Sequence, residues 1–380
     1  MRVLHVLPSL DQNYGGPLRA VLDLSARARS FGLESEIVGV GKFRVPDNPF
    51  PAALVHSLPL GFPARYRYSR EMSRWLYSNL ARFDGVVLHG MWLHPGAAVS
   101  RICTNLRKRF AYFPHGMLEP WSVFGQGRWK AAKKMLYWTL QERSIVKRAS
   151  AVLYTTERER KLAQQTFSVA NESYIVVPYG IDLSIRFAAT PANPKLLQPS
   201  SARVALFLSR VHPKKNLAFL IEAWAKARLG PEWRLVIAGP AEDRYAANLR
   251  GLIRGRGLEN QISLVGPVAG VDKSYLLHRA QWFILPSSQE NFGIAVLEAI
   301  AAGCPVAVSD KVYVADFFHE RSEVLPLNMD SWVSFLRERM TDESHRDVVT
   351  ALDRERVLPR FEINTVARAW AEELSAVFSS

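Results

Sequence analysis

The chain has 380 residues, a 48% hydrophobic content and two cysteines. Such a composition supports a full globular core, the length makes two domains the default, and Cys103 and Cys304 exclude a disulfide framework or a cysteine metal cluster, which fits a reducing compartment. The formal net charge of +14 is unevenly placed: residues 1–180 hold 25 Lys and Arg against 12 Asp and Glu, whereas the rest hold 24 against 23. An anionic partner for the N-terminal half (an acidic membrane surface, an anionic lipid carrier or nucleic acid) explains that asymmetry, and so does a basic soluble surface without a partner.

Met1 to Pro8 is apolar but carries Arg2 and His5 and stops at Pro8, which is too short for a signal-peptide core with a cleavage site. No apolar run approaches the ~20 residues that span a bilayer. The expectation is a cytoplasmic protein, soluble or held at the inner face of the plasma membrane.

Val3 to Leu7 reads as a buried strand, followed by the turn Asp11 to Pro17 and a helix whose apolar face is Leu18, Val21, Leu22 and Leu24. Glu36 to Val40, Gly85 to Leu88, Phe110 to Phe113 and Ala151 to Tyr154 read as further strands, two of them ending in His89-Gly90 and Pro114-His115-Gly116. Ile181 to Ser201, with Pro191, Pro194 and Pro199, reads as a linker. A second alternating series follows: strands at Val204–Leu208, Leu235–Ala238, Ile262–Val265, Trp282–Leu285 and Pro305–Val308, with helices at Leu217–Ala227, Ala246–Ile253 and Ile294–Ala302. A last helix spans about Asn364 to Phe378, with Val366, Trp370 and Leu374 on one stripe. Apolar strands alternating with helices imply parallel sheets covered on both faces. The fold class is therefore α/β, two Rossmann-like doubly wound domains in tandem facing each other across a cleft. Ligands then sit beyond the carboxyl ends of the strands.

The most chemically loaded segment is Glu290-Asn291-Phe292-Gly293-Ile294-Ala295-Val296-Leu297-Glu298. It follows the strand Trp282–Leu285, Gly293 allows close backbone approach, and the helix opening there offers N–H groups to a phosphate. Glu290 in the loop and Glu298 two turns into the helix reach different parts of one extended ligand, and carboxylates suit sugar and ribose hydroxyls. By spacing alone, a helix with an acidic first turn and an incidental glutamate is the better explanation of the segment. Arg210 and Lys215 follow the strand Val204–Leu208, where a diphosphate would lie and where two cations stabilise a leaving group.

Two glutamates separated by seven residues, followed by Ala-Ile-Ala-Ala-Gly-Cys-Pro-Val, resemble the signature of glycosyltransferase family four, the group one transferases with the retaining GT-B arrangement. The resemblance runs over nearly the whole chain, through Gly15-Gly16, Phe113-Pro114-His115-Gly116, Val177-Pro178-Tyr179-Gly180-Ile181-Asp182 and Ser209-Arg210-Val211-His212-Pro213-Lys214-Lys215-Asn216. It implies a hexosyltransferase with an acceptor domain over 1–182, a nucleotide-sugar domain over 200–361, and a C-terminal helix from about 362 to 380 packing back on the first. It implies donor contacts from Gly15, Gly16, Arg210, Lys215, Gly266, Glu290, Asn291, Phe292, Gly293, Ile294 and Glu298. His115, Glu290, Arg210 and Lys215 then serve the reaction: His115 meets the transferred sugar, Arg210 and Lys215 the diphosphate, Glu290 the sugar and Glu298 the ribose. His89-Gly90-Met91-Trp92 repeats the histidine pattern and is a candidate for the acceptor pocket.

The implied donor is a GDP- or UDP-sugar and the implied acceptor a glycan or lipid-linked intermediate of cell-envelope polysaccharide or lipopolysaccharide synthesis. Retention of configuration follows, and with no carboxylate placed as a nucleophile, a front-face displacement. No Asp-x-Asp triplet occurs, so no metal and no cofactor are expected. Two departures stand out: Asn216 where glycine is usual, and Lys311-Val312-Tyr313-Val314 in place of a Gly-rich segment. An epimerase or phosphorylase on the same fold would need a different acid–base set or a lysine-bound cofactor. A nucleic-acid-binding role lacks zinc spacing, aromatic sheet motifs and a helix-turn-helix signal, so no nucleic-acid partner is expected.

Between His115 and Ser150 lies a basic, aromatic stretch with Trp121, Phe124, Arg128, Trp129, Lys130, Lys133, Lys134, Tyr137, Trp138, Lys147 and Arg148. It suits a helix lying on an anionic bilayer. Equally, Trp129, Leu136 and Leu140 could be core and the lysines a solvated face.

Overall fold

The computed structural model describes residues 1–11, 16–43, 50–125, 127–167, 173–183, 188–196, 199, 201–320 and 322–379. The chain divides into two compact units, Met1–Gly180 with Ile363–Ser380, and Ile181–Glu362.

The first unit is built on seven parallel strands among the described residues: β1 (Arg2–Leu7), β2 (Glu34–Val40), β3 (Val55–Leu58), β4 (Gly85–His89), β5 (Phe110–Phe113), β6 (Ala151–Tyr154) and β7 (Tyr174–Val176), in the order β3-β2-β1-β4-β5-β6-β7. The central strands are buried on both faces, as helices covering a parallel sheet require. The order reverses between β1 and β4, the kind of switch point where open α/β sheets bind ligands. The helix Ile363–Ser379 packs on the helix Gly16–Ala28, and Phe378 presses so closely on Gly85 that a Cβ there would lie 2.3 Å from the ring.

The second unit repeats the plan with β8 (Arg203–Leu208), β9 (Trp233–Ala238), β10 (Ile262–Gly266), β11 (Trp282–Leu285), β12 (Val306–Ser309) and β13 (Glu323–Leu325), in the order β10-β9-β8-β11-β12-β13. Its switch lies between β8 and β11. Its core includes Trp224, Trp233, Trp282, Trp332 and Phe335, all fully buried. The segment read as a linker is partly structured: Pro194–Leu196 forms a helical turn with Leu196 buried, and Ile181 bridges Glu362.

Candidate active site

In the second unit, the route from β8 to the next helix is set turn by turn. Ser209 N–H donates to Ala238 O and Val211 N–H to Pro240 O, so the chain beyond β8 stays laced to the chain beyond β9. Gly239 makes this possible, because at its φ of 143° a Cβ would lie 1.9 Å from Ser209 O. His212 then accepts from Lys214 N–H, a short helical turn covers Pro213–Lys215, and Asn216 closes it at φ 59°. Asparagine tolerates this left-handed conformation, which is why it can stand where glycine is usual. The helix Leu217–Ala227 follows.

This path drives Lys215 inward, leaving 6% of the residue exposed, while Arg210 stays at the surface. The Lys215 ammonium meets the Glu290 carboxylate. Burial pushes the Lys215 pKa well below the usual lysine value and the charges of Lys214 and Arg210 add to this, while the carboxylate of Glu290 in contact with it acts in the opposite direction. Three basic side chains, Arg210, Lys214 and Lys215, gather at the carboxyl end of β8.

Glu290 is braced from the other side. Its N–H donates to Lys311 O, its carbonyl accepts from Tyr313 N–H, and Phe292 O accepts from Val314 N–H. The segment departing from the Gly-rich pattern is therefore the scaffold of the Glu290 loop. Gly293 sits at φ 99°, and a Cβ there would lie 3.2 Å from Val296 and Val312, so both conformation and space select glycine. The helix Ile294–Ala301 starts immediately after it with no side chain capping its N-terminus. Val296 and Leu297 N–H turn back to Gly293 O, so it is the positive dipole end and the first N–H groups of the helix, at Ile294 and Ala295, that remain available to an anion. Phe292 is buried against Phe361, with ring centroids 5.4 Å apart, so only its main chain can serve a ligand.

Glu298 pairs with Lys273 at 2.5 Å. Lys273, on the helix Gly270–Arg279, was not picked out by sequence reasoning, since a lone lysine on a polar helix carries no signal. Gly239 was missed too, although a glycine just past a strand end, as in Ala238-Gly239-Pro240, is where close backbone approach is commonly needed. Gly266 ends β10 at φ 81° beside a register irregularity. Gly16 opens the first helix of the first unit and is exposed, and Gly15 lies outside the described residues.

In the first unit, His115 follows β5 at φ 51°, in the left-handed region, with Gly116 at φ 75°. The buried Glu159 clamps this turn by accepting from Gly116 N–H at 2.6 Å and from Thr155 N–H and hydroxyl at 2.7 and 2.6 Å. A second buried carboxylate, Glu142, holds the turn after β4, accepting from Trp92 N–H and Tyr112 hydroxyl, both at 2.8 Å. Burial raises the Glu142 pKa to about 7, against the opposing effect of those two hydrogen bonds. It also pushes His115 down to about 3, leaving a neutral ring. His115 Nε2 lies 2.9 Å from His89 Nδ1, and His115 Nδ1 lies 2.5 Å from the Tyr179 hydroxyl.

Two doubly wound sheets are present, and basic side chains, a carboxylate and an uncapped helix N-terminus lie at the switch of the second. Residues 15–180 match the glycosyl transferase 4-like domain and residues 190–348 match the glycosyl transferases group 1 model. The chain belongs to the group 1 glycosyltransferases, of GT-B type, and is a transferase enzyme. It is 26% identical over 318 residues to the GDP-mannose:cellobiosyl-diphosphopolyprenol alpha-mannosyltransferase of Xanthomonas oryzae, covering 82% of this chain and 79% of that one. In fold it is similar to Anabaena HepE, solved in complex with UDP and glucose (TM-score 0.76, 16% identity, 99% of this chain and 100% of that one). It is similar likewise to a sucrose-phosphate synthase from Thermosynechococcus elongatus (TM-score 0.79, 17% identity, 100% and 99%).

Proposed function

We propose that the protein transfers a hexose, with retention of configuration, from a GDP- or UDP-sugar to a glycan or lipid-linked acceptor in envelope polysaccharide or lipopolysaccharide synthesis. The observation that carries this reading is the Lys215–Glu290 contact beside Arg210, near an uncapped helix N-terminus. The two cations neutralise the departing diphosphate, the stabilisation that matters most when charge develops on a leaving group. Glu290 exchanges its lysine for a sugar hydroxyl, and Glu298 meets the ribose. The reading needs no metal, since the cations and the helix do the metal's electrostatic work. The similarity to a transferase acting from GDP-mannose on a diphosphopolyprenol-linked sugar supports a lipid-linked acceptor.

The same reading puts the enzyme on an anionic membrane. No helix among the described residues is long and apolar enough to cross a bilayer. The helix Arg128–Tyr137 and the wider turn Trp138–Glu142 instead leave Trp129, Leu136 and Leu140 at 91%, 61% and 74% exposure. These three and Lys133 recur at helical spacing on one stripe, so the apolar residues weighed as core in the sequence face solvent. Aromatic and aliphatic side chains among lysines suit the headgroup boundary. Lys134 belongs elsewhere: it bonds Ser122 O at 2.6 Å and lies 5.6 Å over the Trp92 ring.

Transfer from UDP- and GDP-hexoses to lipid extracts, followed by mass spectrometry and assignment of the product anomer by NMR, tests the chemistry. An inverted product contradicts the retaining route. Co-sedimentation with anionic and neutral vesicles tests the docking, with Trp129→Ser/Leu140→Ser expected to release the protein. No sedimentation with anionic vesicles even at low salt excludes the membrane role, and equal sedimentation with both vesicle types excludes the anionic preference.

A further inference from the structure

Three adjacent strands of the first sheet each supply one histidine: His5 within β1, His89 at the end of β4 and His115 just past β5. Their rings form a chain. His5 Nδ1 lies 3.0 Å from His89 Nε2, His89 Nδ1 lies 2.9 Å from His115 Nε2, and His115 Nδ1 lies 2.5 Å from Tyr179 Oη. Aromatic rings enclose it, with Phe113 stacked 4.0 Å from His115 and Trp370 stacked 6.0 Å from His5. His5 and His89 are 0% and 2% exposed. Beyond His5 the chain stops: its Nε2 is buried with no hydrogen-bond partner among the described residues, and so is the Nε1 donor of the stacked Trp370.

A neutral imidazole has one donor and one acceptor nitrogen, so the chain can run only one of two ways. If Tyr179 donates to His115, each ring passes its N–H inward and the chain ends as a buried N–H on His5 with nothing to accept it. If His5 Nδ1–H starts the chain, His89 Nδ1–H donates to His115 Nε2, His115 Nδ1–H donates to Tyr179, and only a lone pair is left at His5 Nε2. The second arrangement avoids stranding a donor beside the Trp370 N–H, which is itself a donor without a partner, and buried unpaired N–H groups are the rarer defect. Either way both nitrogens of His115 are spent on the protein. The ring therefore acts as a peg for a backbone held at φ 51°, a conformation that persists only when its surroundings enforce it.

We propose that His5 and His89 are positioning residues which, with Tyr179, lock His115 in its Nδ1–H form and so present its main chain, not its ring, to the transferred sugar. This rests on the transfer reading above for its last clause, whereas the locked chain itself stands on the first unit alone. No proton needs to move along it during turnover; its service is to hold one tautomer and one ring plane.

The test uses the full-length protein labelled with 15N-histidine, whose ring nitrogens report each tautomer directly, with His115 assigned from a His115→Asn spectrum. In the wild type His115 is expected as a single Nδ1–H form from pH 5.5 to 8; a mixture, an Nε2–H form or an imidazolium overturns the proposal, and this readout needs no activity. His5→Phe keeps the volume but removes the donor that starts the chain, so the His115 signal should shift toward the other form. Turnover should fall at least about tenfold, with donor KM held within about threefold, as misplacement of a reacting-site group produces. His5→Asn restores an amide donor near the position of Nδ1 and should recover both signal and turnover. Equal losses in the Phe and Asn variants, or none in either, mean that His5 is packing alone. Absence of any transfer by the wild type would instead count against the proposed function and leave the tautomer result readable.

Discussion

Replacing Lys215 with methionine removes one charge and keeps most of the buried stem. Two effects follow, and the structure separates them. Lys215 is 6% exposed and its Glu290 partner keeps only 19% of its side chain accessible, so the variant leaves a largely buried carboxylate without its cation. Breaking a fully buried pair costs ~3–5 kcal/mol; the remaining solvent access of Glu290 and the nearby Arg210 reduce this to about 2 kcal/mol, or a fall in Tm of roughly 4–8 °C for a unit of this size. The catalytic loss is separate: one cation fewer at the developing diphosphate should lower turnover at least about a hundredfold, about 2.7 kcal/mol. The double variant Lys215→Met/Glu290→Gln divides them, because a neutral amide no longer needs the lysine. Tm should return toward that of the wild type while turnover stays low. Thermal melts and initial rates on the four proteins of this cycle measure both quantities. Turnover within about threefold of wild type in Lys215→Met, or recovered in the double variant, refutes the diphosphate role.

Glu298→Ala should raise donor KM with little change in turnover, because a ribose contact is the same in the ground and transition states; a collapse of turnover with unchanged KM would mean that the roles of Glu290 and Glu298 are exchanged. Gly239→Ala places a Cβ 1.9 Å from Ser209 O, so it should cost about 2–4 kcal/mol and displace the Arg210 turn; an unperturbed melt would show that the two strand ends can separate freely. Acidification should destabilise the first unit. Burial lowers the His5 pKa to about 3 and that of His89 well below 6.5, so the unfolded chain takes up protons below pH 6.5 that the folded rings refuse. Their contribution is present above pH 6.5 and is lost as pH falls toward 3, about 1 kcal/mol per ring between pH 7 and 5.5, offset in part by Glu142, whose pKa raised to about 7 lets the folded chain bind a proton over the same window. Urea unfolding at the two pH values measures it, and a flat profile contradicts the buried neutral rings.

Much of the architecture is legible because the central strands are nearly continuous apolar runs. Phe110–Phe113, Ala151–Tyr154 and Trp282–Leu285 read to the residue. The strands that escaped, Val55–Leu58, Tyr174–Val176 and Glu323–Leu325, are short and lie toward sheet edges, where half their side chains need not be apolar. The helix Glu343–Arg356 escaped for a related reason: only Val349 and Asp353 are buried on it, too few to mark a face. At the site, residues with a chemical signature were visible in the sequence, Arg210, Lys215, Glu290 and Glu298 among them. Partners recruited by folding were not. Lys273 on a polar helix, Glu142 and Glu159 under the strand-end turns, and His5 in mid-strand gain their significance only from what the sheet order sets beside them.

The most direct test of nucleotide-sugar transfer is binding by the purified protein to UDP, GDP and a panel of their hexose conjugates, followed by thermal melting and calorimetry. A true donor at about a hundred times its Kd should add about 2.7 kcal/mol of stability, Lys215→Met should abolish that gain, and the bound conjugate should release its nucleoside diphosphate once acceptor lipid is supplied. If no nucleotide or conjugate shifts the melt of the wild type, or the shift survives in Lys215→Met, the proposed donor site is contradicted.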